Sequence, residues 1–310
     1  MGILLWSIIL LISLIVLIKA SDYFVTFGSK IGLLFDIPQF VIGITIVALG
    51  TSAPELVTSI LAIFSGSTEY VVGTVVGSNI SNILLIVGIS AIVAHQIKSK
   101  WDLIRVDIPI LVATTALAVF VIIDGQVQWY EGLVLLIGYA VYIWYFSAIH
   151  HEAKPIERKP SPSFMLFFGL AICMGAIYLS AKYALQSVIA LTDILALPDT
   201  SFIAMSAVAI ATSLPELLVS LSAIRKNNIE LAFGNVLGSN VFNVCVVLAI
   251  GTLVHPLAVS ASVLEVGVPF LIAAVVLYSI SLLDRKITKY EGVYFLLLYA
   301  LFLMALARYV

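Results

Sequence analysis

Two glutamates occupy unusual positions in this sequence. Glu55 and Glu216 each lie deep inside a long apolar segment, whereas most other carboxylates lie near polar loops or near the ends of such segments. An ionisable side chain in the lipid interior costs roughly 2.5–3.5 kcal/mol on insertion scales and usually has a function there. We therefore predict that the two glutamates bind a cation. The alternative is that they are protonated or paired and brace neighbouring helices.

Hydroxyl side chains precede each glutamate at helical spacing. Thr51 and Ser52 come four and three residues before Glu55, so the three side chains share one face of a helix. The same pattern recurs in the second half of the chain. Its members there are Thr212, Ser213 and Glu216.

A proline also lies beside each glutamate. Pro54 cannot donate a hydrogen bond to the carbonyl of Gly50, so the helix is expected to kink or break beside Glu55 and to free backbone oxygens. Pro215 holds the same position in the second half, although Ala211 replaces the glycine there.

Two serine–asparagine pairs add polar faces to other apolar segments. Ser78 and Asn82 are four residues apart, as are Ser239 and Asn243, so each pair shares a helical face. A buried amide needs several hydrogen-bond partners, which makes packing alone a poor explanation for the asparagines. All of these groups are oxygen ligands, and Ca²⁺ takes about 6–8 oxygens at ~2.3–2.6 Å. Two glutamates would also neutralise one divalent ion.

The composition identifies the environment of these residues. Hydrophobic residues make up 62% of the 310 residues and charged residues 10%, against ~45–50% and ~25% in soluble domains. With a mean hydropathy of +1.19, the sequence predicts a polytopic membrane protein. The net charge of −2 gives no basic field for nucleic acid. Cys173 and Cys245 lie in apolar runs, so neither a disulfide framework nor a thiolate metal site is expected.

Charges, glycines and prolines divide the chain into ten predicted transmembrane helices, each of about 20 apolar residues. The predicted spans lie at roughly 3–20, 38–64, 70–94, 105–123, 130–149, 164–191, 199–224, 230–254, 263–283 and 290–308, with 21–36 as an alternative extension of the first helix. We predict an all-α integral membrane protein with a first five-helix repeat at 1–150, a polar linker at 151–163 and a second repeat at 164–310.

The two halves repeat each other's polar motifs in order. VALGTSAPELVTS at 47–59 recurs as VAIATSLPELLVS at 208–220, and GTVVGSNISN at 73–82 recurs as GNVLGSNVFN at 234–243. Because each copy has an odd number of spans, the second copy enters the membrane from the opposite face. Such inverted repeats are typical of secondary transporters, whose ion sites lie at midplane between the halves.

The basic residues predict the orientation of the chain. Thirteen of the 15 lysines and arginines fall on the side that includes the 151–163 linker, and two, Lys182 and Arg308, fall on the other side. Because cytoplasmic loops are rich in basic residues, we expect the linker inside, both termini outside, and the protein in the cell (inner or plasma) membrane.

The motifs GTSAPELVTS with GSNISN, and ATSLPELLVS with GSNVFN, resemble the two repeats of the Ca²⁺/cation antiporters, most closely the prokaryotic sodium/calcium exchangers. This resemblance implies that the repeat glutamates form an ion cage with hydroxyls, amides and backbone carbonyls. The implied ligands are Glu55, Glu216, Thr51, Ser52, Thr212, Ser213, Ser78, Ser239, Asn82, Asn243, Ala48 and Ala209. Asn82 and Asn243 would lie at its centre, and the carbonyls of Ala48 and Ala209 would complete the sodium sites.

Two residues depart from the pattern of that family. Asn243 stands where exchangers often carry aspartate, and Ala211 stands where they carry glycine. An asparagine resembles a protonated aspartate in shape and charge, so cation binding is compatible with it. The proton-coupled branch tends to carry Gly-Asn-x-x-Glu after each signature, whereas this chain has Gly-Ser-Asn, which favours sodium coupling.

The sequence thus predicts an antiporter, rather than an enzyme, that exchanges Ca²⁺ for Na⁺ by alternating access. Ca²⁺ and Na⁺ are the expected substrates in a lipid bilayer, with no cofactor, no nucleic acid and no obligate protein partner. Ca²⁺/H⁺ exchange is the alternative within the same class, and a cation channel with a continuous polar pore is the alternative from another class.

Overall fold

The computed structural model describes residues 2–64, 66, 68–98, 103–150, 163–194 and 213–308. With continuous helical segments joined, these residues form ten helices and four short strands. The helices are α1 (Ile3–Leu34), α2 (Gln39–Phe64), α3 (Thr68–Ala94), α4 (Leu103–Ile122), α5 (Trp129–His150), α6 (Phe164–Ile194), α7 (Leu214–Arg225), α8 (Ile229–Val254), α9 (Val263–Ser281) and α10 (Lys289–Leu306). The strands are β1 (Gln96–Lys98), β2 (Gln126–Val127), β3 (Leu257–Ala258) and β4 (Lys286–Thr288).

The helices match the ten predicted spans in order. Within the described residues, eight of them are long and apolar enough to cross a membrane; α4 has a shorter apolar stretch at Ile108–Ile122, and α7 is described only from Leu214. The all-α membrane fold is therefore confirmed. Apart from Ser163, the predicted 151–163 linker lies outside the described residues.

The first helix follows the longer of the two predicted alternatives. α1 continues to Leu34, well past residue 20, and its 32 residues span ~48 Å against a bilayer core of ~30 Å. The charge of Asp22 does not end the helix because this residue has a partner. The hydroxyl of Ser222, near the end of α7, donates to Asp22 Oδ1 at 2.6 Å.

Three helices form the interior of the bundle. The most apolar windows of α2, α3 and α8 are 67%, 83% and 89% buried, whereas those of the other candidate spans are between 17% and 39% buried. The peripheral helices expose large apolar side chains, such as Leu4 on α1 and Trp144 on α5, as expected of surfaces that face lipid. Three of the four predicted motifs, GTSAPELVTS, GSNISN and GSNVFN, thus lie on the helices that are most shielded from the bilayer.

The expected break beside Glu55 is absent. The segment Ala48–Phe64 is one continuous α-helix with Pro54 inside it, and the irregular backbone of α2 lies earlier, as a π-helical turn at Gly43–Val47. The loss of one backbone bond at Pro54 does not end a helix whose polar face, including Ser52, is fully buried by its neighbours. Of the kink or break predicted beside Glu55, the break was therefore wrong, and the kink stays a prediction.

Two more π-helical turns occupy nearly equivalent positions in the two repeats, one residue apart at the repeat offset. Ser81–Ile86 interrupts α3, and Asn243–Leu248 interrupts α8. Each turn contains the asparagine of its repeat, Asn82 or Asn243. A π-turn inserts one residue into the helix and is frequent at functional sites, and no feature of the sequence predicted it.

The short strands show that the repeats are inverted. β1 pairs with β4 and β2 pairs with β3, both antiparallel. β1 and β3 follow the equivalent helices α3 and α8, whereas β2 and β4 follow the equivalent helices α4 and α9. Because β1 and β2 lie at opposite ends of α4, each strand of the first repeat shares a membrane face with the non-equivalent strand of the second.

Candidate ion-binding site

Glycines bring two of the site helices into close contact. A Cβ on Gly238 would lie 2.7 Å from the Cα of Ile44, and a Cβ on Gly43 would lie 2.5 Å from the carbonyl oxygen of Leu231. α2 and α8 therefore cross with their backbones almost touching. This crossing places the signature of the first repeat against the Gly-Ser-Asn motif of the second.

The two glutamates lie in the buried centre of the bundle. Glu55 on α2 and Glu216 on α7 are each 1% exposed. The hydroxyl of Ser52, which belongs to the first repeat, donates to Glu216 Oε1 of the second repeat at 3.0 Å. This bond joins the two signatures directly, as the sequence predicted for residues that meet at the axis between the repeats.

Thr51 makes a second connection between the repeats. Its hydroxyl oxygen lies 3.4 Å from the hydroxyl oxygen of Ser239 on α8. It also lies within hydrogen-bond distance of two acceptors, Asn235 Oδ1 at 3.1 Å and the carbonyl of Ala48 at 3.3 Å. Ala48, an implied backbone ligand, therefore adjoins the same group of hydroxyls.

Asn235 is a residue of this region that the sequence reasoning missed. It is fully buried, and its amide nitrogen donates to Ser220 Oγ at 3.0 Å and to the carbonyl of Glu216 at 3.3 Å. With its bond from Thr51, it ties together α2, α7 and α8. Asn235 lies in the motif GNVLGSN, but its counterpart in the first repeat is Thr74. It is therefore not among the polar residues that the two repeats share.

The asparagine motifs meet on the other side of this centre. Asn243 Nδ2 donates to Asn79 Oδ1 at 3.2 Å, and Asn79 Nδ2 donates to the backbone carbonyl of Asn240 at 3.2 Å. Asn79 and Asn240 are equivalent residues that the sequence did not single out, because each lies outside the serine–asparagine pairs spaced by four.

Several predicted ligands offer oxygens suited to a cation. These buried oxygens accept no hydrogen bond from the part of the chain that the structure describes, and a buried acceptor of this kind costs about 1–3 kcal/mol unless something binds it. They are Ser78 Oγ, Ser213 Oγ, Glu216 Oε2, Asn82 Oδ1 and Asn243 Oδ1. Two glutamates, hydroxyls and amides together form a donor set of hard oxygens.

Two of the twelve implied ligands, Thr212 and Ala209, lie outside the described residues, as does Ala211. The other ten belong to α2, α3, α7 and α8 or, for Ser213, immediately precede α7. Over the described ranges there is no cluster of three or more histidine, cysteine, aspartate or glutamate side chains that could hold a metal. A cation at this centre would therefore rely on neutral oxygens beside the two carboxylates.

Comparison with known proteins gives the family. The family model described as sodium/calcium exchanger protein matches residues 5–148 and 165–308. The sodium/calcium exchanger MaX1 of Methanosarcina acetivorans is 31% identical, with 96% of this chain and 97% of the relative covered. A membrane protein of Methanocaldococcus jannaschii is 33% identical, with 96% of each chain covered.

Solved structures agree with this assignment. The sodium-calcium exchanger NCX_Mj, soaked with Na⁺ and Sr²⁺, superposes with a TM-score of 0.85 at 31% identity, and the match covers 97% of this chain and 98% of the other. The chain belongs to the sodium/calcium exchanger protein family.

Proposed function

We propose that this protein is an antiporter that exchanges Ca²⁺ for Na⁺ through the buried centre formed by Glu55 and Glu216. The observation that carries the proposal is the hydrogen bond from Ser52 of the first repeat to Glu216 of the second. It supports a single site to which both repeats contribute, because a hydroxyl of one repeat bonds a carboxylate of the other. Membership of the exchanger family supports the same activity.

The charges of the site favour exchange between these two ions. Two ionised glutamates carry −2, so one Ca²⁺ leaves the centre neutral, and Na⁺ ions accept the same hard oxygens. Occupancy by one ion type then disfavours the other, because both need the same carboxylates. Access would alternate when one group of helices moves against the core of α2, α3, α7 and α8.

The ligands divide by role within this proposal. Glu55 and Glu216 supply charge, while hydroxyls of Thr51, Ser52, Ser78, Ser213 and Ser239 and amide oxygens of Asn82 and Asn243 supply neutral coordination. Thr212 and the carbonyls of Ala48 and Ala209 complete the proposed set. We propose that no cofactor, enzymatic step or obligate protein partner is required, since the transported ions are themselves the ligands.

Reconstituted vesicles test the activity against its two alternatives. Ca²⁺ uptake should require Na⁺ inside the vesicle, stop when the Na⁺ gradient is removed, and be unaffected by an imposed pH gradient. Uptake driven by a proton gradient without Na⁺ would indicate Ca²⁺/H⁺ exchange. A current that persists with Ca²⁺ alone, and reverses at the Ca²⁺ equilibrium potential, would indicate a channel. Either of these results contradicts the proposal.

We also propose an orientation in the cell membrane, with the 151–163 linker in the cytoplasm and both termini outside. The uneven distribution of lysine and arginine supports it. In this arrangement residues 1–150 and 164–310 are the two inverted repeats, and the linker crosses no membrane.

A further inference from the structure

A chain of three buried asparagines crosses between the repeats beside the proposed site. Asn79 on α3 donates its Nδ2 to the backbone carbonyl of Asn240 on α8 at 3.2 Å. Asn243 on α8 donates its Nδ2 to Asn79 Oδ1, also at 3.2 Å. The three residues are at most 3% exposed, so water does not compete for these bonds from the surface.

The first bond fixes the direction of the whole chain. A backbone carbonyl can only accept, so Asn79 must turn its NH₂ group toward Asn240 and its oxygen toward Asn243. Two amide oxygens facing each other would repel, so Asn243 must in turn present its NH₂ group to Asn79. The oxygen of Asn243 then points away from Asn79, and it receives no hydrogen bond from the described part of the chain.

We infer that Asn79 is a positioning residue, which holds the Asn243 amide so that its oxygen, and not its NH₂ group, faces the transported cation. This inference rests on the proposed function. An amide can bind a cation only through its oxygen, and an unrestrained amide has two orientations of which one presents hydrogens. Fixing the orientation before the ion arrives removes part of the ordering cost of binding.

The equivalent residues of the two repeats do not form the same arrangement. Asn240 is the counterpart of Asn79, but its Nδ2 donates to the carbonyl of Val236 in its own helix at 2.7 Å. Asn82 is the counterpart of Asn243, and neither atom of its amide has a hydrogen-bond partner among the described residues. The Asn243 amide is thus anchored from the other repeat, whereas that of Asn82 is not.

This asymmetry supplies a matched pair of variants. Asn79→Ala removes the anchor of Asn243, whereas Asn240→Ala removes an equally buried amide and keeps the backbone carbonyl that Asn79 uses. We expect Asn79→Ala to raise the KM for Ca²⁺ roughly 3- to 10-fold, the range of one hydrogen bond, with little change in maximal rate. Asn240→Ala should leave the KM within about twofold of the parent protein, since its amide bonds only within its own helix.

A second variant and a double mutant separate positioning from general packing. Asn79→Asp should restore a KM near that of the parent, because burial favours the protonated carboxyl group. Its O–H can donate to the Asn240 carbonyl while its other oxygen accepts from Asn243. In the Ca²⁺-dependent thermal stabilisation of the purified proteins, adding Asn79→Ala to Asn243→Ala should cause little further loss, because the group that Asn79 orients is already absent. Ca²⁺-dependent thermal stabilisation of the purified proteins should follow the same order as the KM values.

The outcomes distinguish this inference from the proposed function. A parent protein without Na⁺-dependent Ca²⁺ uptake would remove the function and the inference together. If the parent exchanges ions but Asn79→Ala and Asn240→Ala behave alike, or the losses of Asn79→Ala and Asn243→Ala add fully, the inference is wrong while the function stands. If Asn79→Ala does not fold, the comparison of Asn79→Asp with Asn240→Ala decides: a raised KM in the aspartate variant overturns the inference.

Discussion

Glu216 connects the two repeats through a single buried side chain. One carboxylate oxygen accepts a bond from Ser52 of the opposite repeat, and the other is buried without a hydrogen bond from any described residue. A buried carboxylate oxygen is costly to leave bare. In the proposed site, ion binding and the contact between the repeats would therefore depend on the same side chain.

The carboxylates provide the first prediction. We expect Glu55→Gln and Glu216→Gln each to reduce Na⁺-dependent Ca²⁺ uptake to background, because a divalent ion would lack half of its counter-charge in a low-dielectric site. Glu69→Gln is the control, since Glu69 is an exposed carboxylate in the first turn of α3. The measurement is ⁴⁵Ca²⁺ uptake into Na⁺-loaded vesicles, and uptake at the parent rate in either buried variant would exclude the proposed site.

Asn243 provides the second prediction. Asn243→Asp should keep transport but change the relative affinity for Na⁺ and Ca²⁺, or add a dependence on pH, because the new carboxylate either strengthens cation binding or takes up a proton. Asn243→Leu should lose transport, since it removes an oxygen and leaves Asn79 Oδ1 without its donor. Uptake measured across pH for both variants is the test. Normal transport by the leucine variant would mean that Asn243 contributes only to packing.

Much of this residue-level arrangement followed from the sequence. Glu55 and Glu216 were predicted as the two deep carboxylates, one from each repeat, and the structure buries both. Asn79 and Asn235 were not predicted. Their importance depends on which atoms face them across a helix crossing, and that crossing is set by packing between segments more than 150 residues apart.

At the scale of the elements, the crossing of α2 and α8 depends on residues without side chains. A Cβ on Gly234 would contact the carbonyl oxygen of Phe40 and lie 3.0 Å from the Cα of Gly43. Gly175 on α6 is exposed, and a Cβ there would have no described residue within 4 Å. An added methyl group therefore meets backbone at Gly234 and has room at Gly175.

This difference yields the third prediction. Gly234→Ala should lower the yield of monodisperse protein and its melting temperature, because the methyl group meets backbone that cannot move aside, at a cost of roughly 1–3 kcal/mol or more. Gly175→Ala should be tolerated or slightly stabilising, since alanine favours a helix by about 1 kcal/mol over glycine. Size-exclusion profiles and thermal melts in detergent measure both. Equal behaviour of the two variants would mean that the close crossing does not exist.

The extension of α1 yields the fourth prediction. Ser222 donates to Asp22, and Lys226 donates both to the carbonyl of Asp22 and to Thr26 Oγ1. Ser222→Ala should destabilise the protein by about 1–3 kcal/mol, the range for a bond to a charged acceptor. Ser279→Ala is the matched control, because its hydroxyl bonds only to Val275 of the same helix. The measurement is the melting temperature of each variant. An unchanged melting temperature for Ser222→Ala would mean that its bond to Asp22 does not stabilise the fold.

The elements were predicted well in number and order and less well in detail. Apolar runs and their punctuation suffice for ten spans because lipid requires continuous helices. The π-turns and short strands have no such signature: each strand has two or three residues and pairs with a segment of the other repeat. No break occurs at Pro54 because packing against neighbouring helices outweighs the local preference of proline.

At the scale of the whole molecule, the inverted repeats imply a defined topology, and this is the fifth prediction. In the parent protein the native cysteines, Cys173 and Cys245, are buried, so a membrane-impermeant thiol reagent should not label it on intact cells. Ala307→Cys should be labelled, because the exposed end of α10 is proposed to face outward. Ser161→Cys should be labelled only after the membrane is opened. If only Ser161→Cys were labelled on intact cells, the orientation would be the opposite of the one proposed.

The exchanged pairing of the short strands has a consequence for synthesis. Ile97 pairs with Ile287, and Val127 pairs with Leu257, so no strand of the first half has its partner in that half. When the first five helices have been synthesised, β1 and β2 still lack their partner strands. The second half must enter the bilayer before either pair can form. The strand pairs therefore join two inserted halves, once on each side of the membrane.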